Sequence, residues 1–128
     1  MKNTDVENLY LAAFKKENPK ELDIDVCLIN LSDKPQVLQV MQGSFEGDTD
    51  GLLDLGHSRY TTITIPAMGF QKIDHFDDGG QLDFTTWYTI KAGDHEYYGD
   101  VSGRTFYDKD KWADIPVLNV KGYLRKLA

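Results

Sequence analysis

A chain of 128 residues, 41% hydrophobic and 27% charged, has the size and proportions of one globular domain, which argues against a disordered or membrane-embedded chain. Its net charge of −7, from 21 acids against 14 lysines and arginines, argues against broad binding to nucleic-acid phosphates. Its single cysteine, Cys27, excludes a disulfide within the chain.

The opening run Met1-Lys2-Asn3-Thr4-Asp5-Val6-Glu7 has no apolar stretch and no small-residue cleavage site. No apolar run approaches the ~18 residues of a membrane span. With one cysteine and no leader, a cytoplasmic location is expected.

Residues 8–16 suit either a strand or a short helix, and Asn18-Pro19 then marks a turn. In 22–31, Leu22, Ile24, Val26 and Leu28 alternate with Asp23, Asp25, Cys27 and Ile29. That period of two predicts a half-buried strand with its acids in solvent and Cys27 a buried, unreactive thiol. Asn30-Leu31-Ser32-Asp33-Lys34-Pro35 supplies turn residues, and Gln36 to Phe45 predicts a second strand, paired antiparallel to the first. Gly43 marks a bulge near its end.

Glu46 to Gly51 reads as an acidic loop. Tyr60 to Ile65 is β-branched and predicts a strand stopped by Pro66, and Gly69 to Phe76 predicts the next. A second acidic loop, Asp77-Asp78-Gly79-Gly80, follows. Residues 82–91 carry the strongest strand pattern, with Phe84, Thr86, Tyr88 and Ile90 on one face. Ala92-Gly93-Asp94 turns it back into a hairpin partner over His95–Val101. Lys109 to Ala113 reads as a short helical turn, and the last strand is expected around Val117–Tyr123. About seven short strands without a long helix predict an all-β, mainly antiparallel fold. The expected form is an immunoglobulin-like β-sandwich in one domain over 1–128, with a small barrel as the alternative.

The stretch Val26-Cys27-Leu28-Ile29-Asn30-Leu31-Ser32-Asp33-Lys34-Pro35-Gln36-Val37 resembles the early strands of bacterial immunoglobulin-like sandwich modules. An apolar strand ends in Asn-x-Ser-Asp, then comes Pro, then a further strand. The antibody-type Cys…Trp…Cys arrangement is absent. The resemblance implies the architecture, and a role in binding proteins or as a structural unit.

Two acidic segments are candidates for chemistry. In Glu46 to His57, Glu46, Asp48 and Asp50 fall at alternate positions of a tight loop, followed by Gly51 and Asp54, as the oxygen ligands of a Ca²⁺ loop would. Glu stands first where such a loop has Asp, and His57 stands last where it has Glu; a solvated surface turn is the plainer reading. In Asp74 to Asp83, acids flank His75, a combination suited to acid–base work or to a metal, and equally to a hydrogen-bonded surface histidine. His57, His75 and His95 have no zinc spacing, and no nucleotide-binding glycine loop exists, so no cofactor is expected. Serines lack the G-x-S-x-G context of a nucleophile.

Alternation sends Trp87 to the face opposite Tyr88, and Tyr97 opposite Tyr98, so Trp87, Tyr97 and Trp112 are the candidate interaction surface. Together these patterns predict a non-enzymatic protein-interaction or structural module. The alternative is a ligand- or Ca²⁺-binding module on loops 46–57 and 74–83, with Asp48, Asp50 and Asp54 as ligands. A third reading is an acidic mimic of nucleic acid that inhibits a basic-groove protein. The expected partner is a protein rather than a nucleic acid or a membrane, and the chain is expected to be a monomer or a homodimer.

Overall fold

The structure, a computed structural model, describes residues 8–15, 24–46, 53–57, 59–76, 85–102, 106, 110 and 112–127. Ten strands run through them: β1 Leu9–Lys15, β2 Ile24–Asn30, β3 Gln36–Glu46, β4 Leu53–His57, β5 Thr61–Ile65, β6 Gly69–Phe76, β7 Thr85–Ala92, β8 His95–Val101, β9 Trp112–Ile115 and β10 Val120–Lys126. Every pairing is antiparallel. Sheet A has the order β6-β2-β1-β10-β9. Sheet B has the order β4-β3-β7-β8, with β5 also paired to β3. Neither sheet closes on itself, so the molecule is a β-sandwich and not the small barrel.

Period-two alternation builds the core between the sheets. Leu11 and Ala13 of β1, Val26 and Leu28 of β2, Leu38 and Val40 of β3, and Tyr88 and Ile90 of β7 all point into it. Fully burying each large aliphatic side chain here contributes roughly 1.5–3 kcal/mol. Close approach of the sheets depends on Gly99, where a Cβ would stand 2.6 Å from Leu11 Cδ2. Within sheet A, Gly122 lets β10 lie against β1, since a Cβ there would fall on the Ala13 carbonyl oxygen. The β7–β8 hairpin turns through Gly93 at φ 61°, a value glycine takes without steric penalty.

Of the two readings left open for residues 8–16, the strand holds over Leu9–Lys15, because β1 finds β2 on one side and β10 on the other. Three expectations give way. Trp112 and Ala113, expected in a helical turn, lie in β9, where pairing with Tyr123 and Gly122 holds them extended. A strand that the sequence left in the acidic loop, β4, continues the edge of β3 beyond a register shift between Gly43 and Phe45. Finally, β2 and β3 do not pair with each other: β2 lies in sheet A and β3 in sheet B.

The corner between β2 and β3 explains that last correction. Asn30 is fully buried. Its Nδ2 donates to the carbonyl oxygens of Lys34 at 2.8 Å, Pro66 at 3.1 Å and Ile65 at 3.2 Å. Its Oδ1 accepts from the Ser32 backbone N–H at 2.9 Å and from the Ser32 hydroxyl at 2.6 Å. Met68 at φ 51° donates its N–H to Ser32 O at 3.1 Å. One side chain thus fastens two of the four places where the chain crosses between sheets, after β2 and after β5. The turn residues bend the chain over the sandwich edge instead of folding it into a hairpin.

Candidate functional site

Apart from the Asn30 corner, polar groups meet along β2 and β6, on both faces of sheet A. Pairing of β2 with β6 is interrupted between Val26 and Cys27, which face Asp74 and Lys72, so Ile73 is an extra residue in β6. Strict alternation would send Ile73 and Asp74 to opposite faces. The bulge lets both serve the inside: Ile73 packs on the main core and Asp74 reaches Tyr88 across the sandwich.

Two carboxylates are used there in two ways. Asp25 Oδ1 lies 2.7 Å from His75 Nδ1, and an imidazole nitrogen facing a carboxylate at that distance carries the proton and donates it. The Asp25 side chain is 10% exposed and that of His75 33%. Lys72 Nζ stands 3.9 Å from the same oxygen, at the limit of an ion pair. Asp74 Oδ1 accepts the backbone N–H of His75 at 2.8 Å, and its Oδ2 accepts the Tyr88 hydroxyl at 2.9 Å. Burial pushes the Tyr88 phenol well above its ordinary range, and the Asp74 charge and hydrogen bond push it further. The first pair joins two strands of sheet A, and the second ties sheet A to sheet B.

Asp25 corrects the sequence reading, which put it in solvent. All seven residues of β2 are buried, on both faces. A signal was present: the apolar Cys27 and Ile29 follow Asp25 on the same face, and an acid beside such a run calls for a buried partner. Tyr88 and Lys72 carried no such signal, because the bulge and the packing of sheet on sheet bring them there. Of the 74–83 segment, Asp74 and His75 join this cluster; Asp77, Asp78 and Asp83 lie outside the described residues.

Asp48 and Asp50 also lie outside the described residues. Asp54 sits in β4, in register with Phe45 of β3. Among the described residues no three His, Cys, Asp or Glu side chains converge as a metal site would require.

The three aromatic candidates are not brought together. Trp87 lies on the outer face of sheet B, half-buried, opposite Gly43 and Asp100. Tyr97 faces inward and packs on the main core. Trp112 also packs on that core, and its Nε1–H donates to the Phe106 carbonyl oxygen at 2.6 Å. The ring that joins Trp87 on the outer face is Tyr98, 47% exposed, in a row with Thr89 and Met41. Val37, in register with Thr64, extends that face at 63% exposure. Lys91 Nζ lies 4.4 Å from the centre of the Tyr60 ring, a cation–π contact. Burial raises the Tyr98 phenol and Asp100 raises it further, while Arg125 pulls it back.

No helix among the described residues is long and apolar enough to cross a membrane. No protein-family model matches this chain, and no curated protein matches it.

Proposed function

We propose that this protein is a non-enzymatic interaction module that presents the outer face of sheet B to a protein partner. One observation carries the reading: of the described residues on that face, only Gly43 is buried, while Val37, Met41, Trp87 and Tyr98 offer it apolar and aromatic surface. Trp, Tyr and Met are the side chains that dominate the centres of protein interfaces. Threonines 62, 64 and 89 and Gln39 surround them with short neutral groups, and Glu96 and Asp100 border them along β8. Acids on the border, in a chain of net charge −7, favour a partner with a basic rim. The two internal carboxylates support the non-enzymatic part of the reading, because both are engaged in joining strands. The resemblance of Val26–Val37 to immunoglobulin-like modules points the same way.

A photo-crosslinking residue placed at 37 or 98 of the full chain, in the cells that make it, tests this reading. Discrete adducts from both positions and none from position 68, on the Met68 corner, are expected. An adduct of twice the chain mass would identify the partner as a second copy. Absence of adducts from 37 and 98, or equal adducts from 68, overturns the reading.

A further inference from the structure

The open side of the sandwich holds a second, separate surface. Among the described residues β5 pairs only with β3, and β6 only with β2, so these strands are facing edges of opposite sheets. Between them lies a hollow of about 240 Å³ lined by Val40, Gln42, Thr61, Ile63, Lys72 and Ile73. Val40 is buried and forms the floor. Gln42, Ile63 and Ile73 are half-buried walls, and Thr61 and Lys72 are exposed at the rim. The bulge in β6 supplies one wall, since Ile73 is the residue without a partner on β2.

We propose that this hollow binds a small monocarboxylate with an apolar body, seated between Val40, Ile63 and Ile73 with its carboxylate on the Lys72 ammonium. Three branched aliphatic side chains make an apolar seat, and a few polar groups at one end fix orientation, which is how small-molecule sites are built. Lys72 has three donors and only a 3.9 Å approach to Asp25, whose carboxylate already takes the shorter bond from His75. Its ammonium can therefore serve a second carboxylate at the rim. Gln42 and Thr61 add neutral hydrogen-bonding groups beside it. At about 240 Å³ the hollow falls below the roughly 300–1,000 Å³ of drug-sized pockets, so it suits a small ligand. The chain's net charge of −7 disfavours a dianion, which leaves one negative charge on the ligand.

The test is an NMR titration of the full chain with benzoate, with neutral benzyl alcohol, which keeps the body, and with acetate, which keeps only the charge. Saturable amide shifts at Val40, Gln42, Ile63 and Ile73 are expected with benzoate, with Kd on the order of 1 mM or below. Benzyl alcohol and acetate should bind about tenfold more weakly. Lys72→Met removes the charge at an exposed position, keeps most of the stem, and should reduce benzoate to the level of benzyl alcohol. Three results would each overturn the proposal: no saturable shifts at these residues, benzoate and benzyl alcohol binding alike, or Lys72→Met leaving benzoate affinity unchanged.

Discussion

The two sheets of this sandwich share a core and differ in what lies on their backs. On the outer face of sheet A, Ala12, Cys27, Ile29 and Ile115 are buried, and Tyr10, Phe14 and Leu124 pack around them in a second apolar cluster. On the outer face of sheet B, the described side chains of β3, β5, β7 and β8 keep contact with solvent. An antiparallel sheet ordinarily has one wet face and reads as alternation, as β7 does. A sheet buried on both sides reads as a continuous apolar run, as Val26-Cys27-Leu28-Ile29 does. Sheet A is thus the structural layer, and sheet B is the layer with surface left to offer.

The largest effect is expected where the two layers are joined. Asn30→Asp would replace the Nδ2 donor with an oxygen facing the carbonyls of Lys34, Ile65 and Pro66. A buried charge among acceptors, with three carbonyls losing their donor, should cost about 3–5 kcal/mol. Urea unfolding would measure it as a large fall in midpoint. A loss below about 1 kcal/mol would show that the crossovers hold without this side chain.

Next in size is the contrast between the two backs. Ile29→Ala should cost about 2–4 kcal/mol, as for a core residue, although it lies outside the main core. Val37→Ala, on the back of sheet B, should stay within about 0.5 kcal/mol. Thermal or denaturant unfolding of the two variants side by side checks this. Equal costs would dissolve the difference between the sheets.

Much of the fold was legible in the sequence, and the illegible parts share one cause. Alternation placed Tyr88 and Ile90 inside and Trp87 outside, and Pro66 and Gly93 marked real ends and turns. Alternation separates two faces, but it does not say what covers each of them, so Asp25 was misplaced in solvent. The turn 30–35 has the same local chemistry whether it makes a hairpin or a sheet-to-sheet corner. Only the distant carbonyls of Ile65 and Pro66 decide for the corner. Ile73 looks like any strand residue, and its bulge exists only against β2. Hence His75 and Asp74 were visible as a pair of interest, whereas their partners Asp25 and Tyr88 depended on contacts remote in sequence.

A smaller effect than that of Ile29→Ala sharpens the comparison at the Tyr88–Asp74 tie between the sheets. Tyr88 stands on sheet B and donates to Asp74 on sheet A. Tyr88→Phe keeps the ring and deletes that bond, so it should cost about 1–2 kcal/mol at neutral pH. The cost should depend on pH in a defined sense. In the folded protein the Tyr88 phenol is held well above its ordinary value, by burial first and by Asp74 second. A group with a raised folded-state pKa contributes stability that is fully present below its unfolded pKa, about 10 for tyrosine, and that is lost as pH climbs through the folded value. Above that point the unfolded chain of the parent protein gains an ionised Tyr88, and the Phe variant gains nothing at that position. Tyr98 and Tyr123, whose phenols are also raised, titrate alike in both proteins and cancel. The gap in urea midpoint between parent and variant should therefore narrow from about pH 8 to about pH 11. A gap that stays constant would mean that the phenol reaches solvent in the folded state, and the inner face of sheet B would then be open to water just as its outer face is.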